Sequence, residues 1–301
     1  MQNVKRLTLT QIAFVVLILL GIFFVTRAIF SSVVISTPIV FTINEGESLK
    51  SLSVRLEGEG LIRSSALLRL YLSFNNKDRK VQLGEYEFSG NISLFSLARE
   101  ITEKGPKNPL LVATIPEGST SLEVYQIFAK ALPSIDKNIF FNLIAANNLE
   151  GKLFPSTYHL LPSYKETTII DLMAAIYLKK VIPIIEGSVA PQPLSGEKDI
   201  LILASILEGE ANTEKDMKIV AGILLERIRI GMPLQVDVAP ETYKRRGLPK
   251  EPINNPGVVA ITSVLHPIST EYLYYITGKD GNMYYAETFN GHKKNIKKYL
   301  K

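Results

Sequence analysis

KDILILASILEGE, Lys198–Glu210, is the stretch on which the fold of this chain turns. From Ile200 to Leu207 every residue but Ser205 is apolar, too continuous for a single inward stripe, so the segment reads as a buried helix. It ends in Glu208-Gly209-Glu210. Residues two apart on a helix point ~200° away from each other, so these carboxylates cannot both face one cleft. Nor can they form the facing pair of a retaining glycosidase, whose carboxyls stand ~5–5.5 Å apart across the substrate. Desolvation at the end of a buried helix raises a carboxyl pKa towards neutrality, which suits a general acid. A solvated helix terminus is the commoner fate of glutamate, and the residues alone leave both readings open.

Downstream, Asp216–Ile230 carries Ala221, Ile223, Leu224 and Ile228 at helical spacing and reads as a second packed helix, with Arg227 and Arg229 expected as surface cations. In GMPLQVDV, Gly231–Val238, Gln235 and Asp237 alternate with Leu234, Val236 and Val238. On a strand the two polar residues face the same side. Such a pair can line a sugar site, where hydroxyls need directional donors and acceptors. An ordinary half-exposed strand is the plainer reading. GLPKEPINNPG, Gly247–Gly257, is a rigid, turn-rich loop in which Asn254 and Asn255 offer amides. Glu271–Thr277 and Met283–Thr288 read as strands joined by a Lys279-Asp280-Gly281-Asn282 hairpin turn. Lys293–Lys301 reads as a solvated helical face.

Upstream, helices are expected at Ser121–Ala131, Lys137–Ala146 and Thr167–Ile182, with a rigid apolar loop at Glu150–Pro162 and a surface loop at Ile182–Gly196. Further back come a β-like run Ile39–Ile43, a helix capped by Ser48, a helix Ser64–Leu72, a strand Val81–Phe88 and a helix Ser93–Thr102. TINEG, Thr42–Gly46, returns as TIPEG, Thr114–Gly118, each time ahead of a helical pattern. The echo reads as two strand–turn–helix units of related design, with a chance match of ordinary turn residues as the plainer alternative. Lys104-Gly105-Pro106 and Asn108-Pro109 separate them.

The twenty residues between Arg6 and Arg27 carry no charge. At ~1.5 Å per residue they match a ~30 Å hydrocarbon core, so residues 7–30 read as a transmembrane helix. A cleavable signal peptide would have a shorter apolar region ending in a small-residue site. Here apolar character continues through Ile29, Phe30 and Val33–Ile35. Lys5 and Arg6 precede the span, and no charge follows Arg27 until Glu45. The basic bias places residues 1–6 in the cytoplasm and the chain from Ser31 outside. Residues 31–38 read as a juxtamembrane linker.

With 301 residues the chain exceeds one ordinary core, so two or more folded units are expected. Its 46% hydrophobic and 21% charged residues rule out a disordered protein. Cysteine is absent, which excludes disulfides, thiolate metal sites and cysteine nucleophiles. His159, His266 and His292 have no ligand-like spacing, so neither a histidine metal centre nor a Ser-His-Asp hydrolase is expected. A net charge of +5 does not argue for nucleic acid.

Several segments together resemble the endolytic murein transglycosylases, the membrane-anchored MltG/YceG-like proteins of the bacterial cell wall. They are EGKLFPSTY (Glu150–Tyr158), ASILEGE (Ala204–Glu210), VAGILLERIRIGMPLQVD (Val220–Asp237), GLPKEPINNPG, YLYYITGKDG (Tyr272–Gly281) and FNGHKKN (Phe289–Asn295). Individually modest, in this order they are specific. The resemblance implies an α+β fold with a transmembrane helix, a small LysM-like unit at 39–108 and a YceG-like catalytic domain at 109–301. It implies cleavage of nascent glycan strands within the chain, leaving 1,6-anhydro-MurNAc ends and ending strand elongation, with no metal or other cofactor. By alignment with the family's E-x-E motif Glu210 is the catalytic acid and Glu208 the alternative. Glu208, Gln235 and Asp237, with Tyr243, Asn255 and His292, are the expected substrate contacts. Peptidoglycan strands are the expected partner, with peptidoglycan synthases as companions, in the plasma membrane. The segment after Asp237 is shorter than the family's, and Lys250-Glu251 stand where Pro-Gly is usual. A non-catalytic peptidoglycan-binding scaffold is the alternative. A glycoside hydrolase is a further rival, needing a second carboxylate such as Glu241 or Glu251.

Overall fold

A computed structural model describes residues 9–300 of the chain. The expected cytoplasmic segment 1–6, with Lys5 and Arg6, lies outside the described residues. The chain divides into two compact units. One runs up to Leu111 and includes His159–Pro162, and the other comprises Val112–Tyr158 and Ser163 onward.

The first unit begins with helix α1, Leu9–Phe30, and passes through Ser31 alone into strand β1, Ser32–Ile43. The segment expected as a linker is therefore the start of a strand. Its β-branched Val33–Ile35 run pairs antiparallel with Gly90–Ile92 of β2, Gly84–Ser93. The register shifts between Ile35 and Ile39, where Pro38 cannot donate to the ladder. Helices α2, Leu49–Gly58, α3, Ser65–Phe74, and α4, Leu94–Arg99, complete the unit, with a short strand β3, Asn108–Pro109, beside β2. Ser48 and Ser64 cap α2 and α3 by accepting from the amides of Ser51 and Leu67. The core joins Phe41 and Ile43 of β1 and Tyr86 of β2 to Leu56, Leu68, Leu72 and Leu97.

Along its backbone α1 has 22 residues, about 33 Å at ~1.5 Å each. Its side chains from Phe14 to Val25 lie exposed, nearly all of them apolar. Counted over the described residues, no helix is long and apolar enough to cross a membrane.

In the second unit strand β4, Leu111–Thr114, leads through the TIPEG turn into α5, Ser121–Ala131, as β1 leads through TINEG into α2. Gly46 and Gly118 both adopt the left-handed backbone conformation, with φ of 73° and 75°, so the sequence echo is a repeated turn geometry. Helix α6, Lys137–Ala146, follows; strand β5, Thr157–Leu160, runs into the His159–Pro162 segment of the first unit, and helix α7, Glu166–Lys180, lies in the second again. The expected surface loop contains a short helix α8, Ile182–Glu186, with Pro183 in its first turn, where a missing amide costs nothing. Helix α9, Glu197–Glu210, is buried from Ile200 to Leu207. It packs against α10, Glu214–Arg229, and α11, Val258–Leu265. Strands β6, Tyr274–Thr277, and β7, Met283–Ala286, form the expected hairpin, and α12, Phe289–Tyr299, closes the chain. Residues Gly231–Val238 are not a strand. Gln235 has φ 48°, and the amides of Gln235 and Val236 bond to Thr242 in a 3₁₀ turn, Pro240–Tyr243, instead of a neighbouring strand. The alternation survives in burial, with Leu234 and Val236 inward and Gln235 and Asp237 outward.

Candidate active site

The last turn of α9 sends its two glutamates to different places. Glu208 Oε2 accepts the amide of Gly257 at 2.9 Å, where Gly257 caps the start of α11. Glu210 instead accepts the Tyr275 hydroxyl at 3.1 Å and the Val238 amide at 3.4 Å. Gly209 between them makes this possible. A Cβ there would fall 2.6 Å from Val238 Cγ1, so only glycine lets the 231–238 loop lie against the helix. Both carboxyls are pushed up in pKa, and for both the main cause is burial. The Gly257 amide opposes the rise at Glu208, and Glu117 adds to it. At Glu210 Tyr275 and Val238 oppose it, while the charge of Asp237 adds to it. A position in the last turn also sets Glu210 at the negative end of the helix dipole, which disfavours its anion. Titration does not separate the two glutamates; their surroundings do.

Glu210 opens onto a cavity of about 560 Å³, a size suited to a small ligand or a few sugar rings. Gln235, Asp237 and Tyr243 line it from the loop after α10, and Tyr274, Tyr275, Ile276 and Thr277 from β6. Phe289 and His292 close it from α12. The Tyr243 hydroxyl donates to Asp237 Oδ1 at 2.6 Å, and that bond pushes the tyrosine pKa up to about 12. The His292 ring stacks on Tyr274 with centroids 5.4 Å apart, next to Phe289. Burial and the nearby Arg227 charge lower its pKa, so the imidazole is neutral at neutral pH. Its Nδ1 is buried without a partner among the described residues.

Of the expected site residues, Glu210, Gln235, Asp237, Tyr243 and His292 meet in this cavity. Glu208 does not line it. Asn255 is fully buried elsewhere, its Oδ1 accepting from the Leu153 amide and its Nδ2 donating to Ser119 O, both at 2.8 Å. It is a joint between loops, outside the cavity. Glu241 and Glu251 also lie outside the cavity, and Glu251 is ion-paired with Lys198 at 2.5 Å.

Tyr274, Ile276, Thr277 and Phe289 of the cavity wall went unread in the sequence, and so did two residues that hold the site together. Arg227, expected on the surface, is 5% exposed. Its guanidinium donates to Leu234 O and, at 2.8 Å, to Leu273 O, so it ties the loop after α10 to the approach of β6. It also lies over the rings of Tyr274 and Tyr275, 5.6 and 5.9 Å from their centroids. The signal was its place on the apolar face of α10, seven residues after Val220 and three after Leu224. Arg229, exposed and paired with Glu226, is the surface cation expected. The other residue is Tyr275, whose pairing with Glu210 spans 65 positions and leaves no local trace.

The YceG-like family model matches residues 41–240 and 241–298. An endolytic murein transglycosylase of Streptococcus pneumoniae serotype 2 is 25% identical over 320 residues, covering 86% of this chain and 58% of that protein. The chain thus spans little more than half the length of that relative. An endolytic murein transglycosylase of Bacillus subtilis is 25% identical over 313 residues, covering 88% of this chain and 85% of that protein. A crystal structure of a yceG-like protein from Listeria monocytogenes shares the mixed α+β fold, with a TM-score of 0.52 at 23% identity over 86% of this chain and 99% of that one.

Proposed function

The chain belongs to the YceG-like family, and from that premise we propose that it is an endolytic peptidoglycan lytic transglycosylase with Glu210 as its acid and base. One observation carries the reading. Of the E-x-E pair it is Glu210 that lines the cavity of about 560 Å³, and that cavity is lined by hydroxyls, a side-chain amide and stacked aromatic rings.

In the proposed reaction protonated Glu210 donates to the glycosidic oxygen between MurNAc and GlcNAc as the bond to MurNAc C1 breaks. The carboxylate so formed takes the proton of the C6 hydroxyl on the same MurNAc. That oxygen bonds to C1 and closes a 1,6-anhydro ring, so no water is consumed and Glu210 ends protonated again. Because the nucleophile is already part of the substrate, no second carboxylate has to form a covalent intermediate. In this reading Gln235 donates to and accepts from sugar hydroxyls, and the Asp237 carboxylate accepts from them. The Tyr274–His292 stack offers a flat apolar wall to a sugar face.

Cutting within nascent strands would end their elongation, and peptidoglycan synthases are the natural companions of such an activity. The exposed apolar α1 supports a single-pass anchor that holds the remainder outside the plasma membrane, with the first unit serving as a LysM-like glycan-binding module. The full chain, incubated with purified peptidoglycan, should generate anhydro-MurNAc ends by mass spectrometry. Reducing ends would make it a hydrolase, and no cleavage by a folded chain would make it a scaffold.

Tyr275→Phe tests the electrostatics. The tyrosine hydroxyl favours the ionised carboxylate, so its removal leaves burial less opposed and raises the Glu210 pKa. The proton needed for the first step is then retained to higher pH. The alkaline limb of the pH–rate profile should move upward, and a limb that moves downward or stays fixed would sink this assignment.

A further inference from the structure

We propose that the outward face of α3 is a membrane-contacting surface, seated at the headgroup–acyl boundary of the outer leaflet beside α1. The inference rests on the anchor reading above and goes beyond it, because it assigns lipid contact to the folded unit itself.

The connection between helix and unit is the first observation. Ser31 alone stands between α1 and β1, and its amide still bonds to Arg27 O at 2.8 Å, so no flexible tether separates the unit from the helix. The junction is aromatic: the Phe30 ring lies 5.1 Å from Phe95, which in turn lies 6.2 Å from Tyr71 of α3. Tyr71 has the amphipathic ring that settles at the membrane–water boundary, and the two phenylalanines beside it extend the apolar side of that junction.

The second observation is α3. Its inner face buries Leu68 and Leu72 completely, yet Leu70 and Phe74, four apart on the outer face, are 61% and 85% exposed. They border a groove of about 580 Å³ between α1 and α3, where Ile22, Val25 and Ile29 supply the opposite wall. An apolar surface of this kind on a soluble face is a liability unless something covers it. It also continues the exposed apolar surface of α1, so whatever surrounds that helix reaches α3. The third observation is charge. Arg27 and Arg63 line an adjoining recess of about 370 Å³, and Arg63 donates to Ser32 O at 3.1 Å. Cations beside an apolar face are the complement of anionic lipid phosphates above acyl chains. Apolar face, aromatic junction and cationic rim together select lipid over a protein partner.

The chain contains no tryptophan, so Phe74→Trp introduces a single indole, and the exposure of Phe74 leaves room for it. The full chain is reconstituted into vesicles of phosphatidylcholine with phosphatidylglycerol, beside Val189→Trp, a position 91% exposed in the second unit. The Phe74→Trp indole should emit at shorter wavelength and be quenched several-fold more strongly by lipids brominated near the glycerol end of their chains. Emission and quenching equal to those of Val189→Trp would overturn the proposal. A blue-shifted indole that brominated lipids leave unquenched would also overturn it, because protein then covers the face. Flotation reads the anchor separately: protein that floats with an unquenched indole overturns the surface alone, and protein that does not float overturns both.

Discussion

Glu210→Gln is expected to lower the rate of anhydro-end formation by about 10²–10⁴-fold, the usual contribution of a positioned proton donor. Glutamine has nearly the same shape and still offers a carbonyl oxygen to the Tyr275 hydroxyl or the Val238 amide. The fold and the cavity should therefore persist, with thermal unfolding close to that of the parent. What glutamine cannot do is give up a proton to the leaving oxygen or take one from the C6 hydroxyl. Glu208→Gln is the matched control. The glutamine keeps an acceptor for the Gly257 amide and relieves the repulsion from Glu117. Its activity should stay within a small factor of the parent's. A silent Glu208→Gln beside an active Glu210→Gln would reverse the assignment, and two active variants would remove the reaction from this helix.

That pair of variants also shows what the sequence could and could not disclose. The buried helix was legible because its apolar run is local, and a two-residue spacing fixes divergent directions through helix geometry alone. Which direction meets a cleft depends on Gly257 for one glutamate and on Val238 and Tyr275 for the other, partners 28 to 65 positions away. Gln235 and Asp237 came out on the expected side for a different reason than expected. Their burial alternates, but a left-handed Gln235 and the Thr242 bonds replace strand pairing. Residues 31–38 read as a linker because serine, threonine and proline suggest one, yet Val33–Ile35 had a pairing partner at Gly90–Ile92. Helix α11 carried no polar periodicity to announce it, since five of its eight residues are buried. Asn255 looked like a substrate amide because a loop full of turn residues is ordinarily exposed, and this one is sealed by Ser119.

Asn255→Leu should destabilise the second unit by about 2–4 kcal/mol, the range expected when a buried hydrogen-bonded side chain is lost and a partner is left unsatisfied. Leucine has the same side-chain branching with bulkier methyl groups, so no cavity forms and any packing strain adds to the loss. The Leu153 amide, now facing a methyl group, loses its acceptor, whereas Ser119 O retains the backbone amide of residue 255 at 3.0 Å. For a unit of this size the calorimetric transition should fall by roughly 6–12 °C. Asn255→Asp gives the sharper diagnosis. Its oxygen still accepts from Leu153, but the second oxygen faces Ser119 O, and burial together with that lone pair raises the folded-state pKa. A group with a raised folded pKa contributes its stability below the unfolded pKa and loses it as pH rises through the folded value. The aspartate variant should therefore approach the parent in acid, where a protonated carboxyl can donate to Ser119 O, and fall away from it towards neutrality. Asn255→Leu should show no such pH dependence relative to the parent. If both variants unfold at the parent's temperature while cleavage fails, Asn255 touches the substrate after all and the joint between these loops is misassigned.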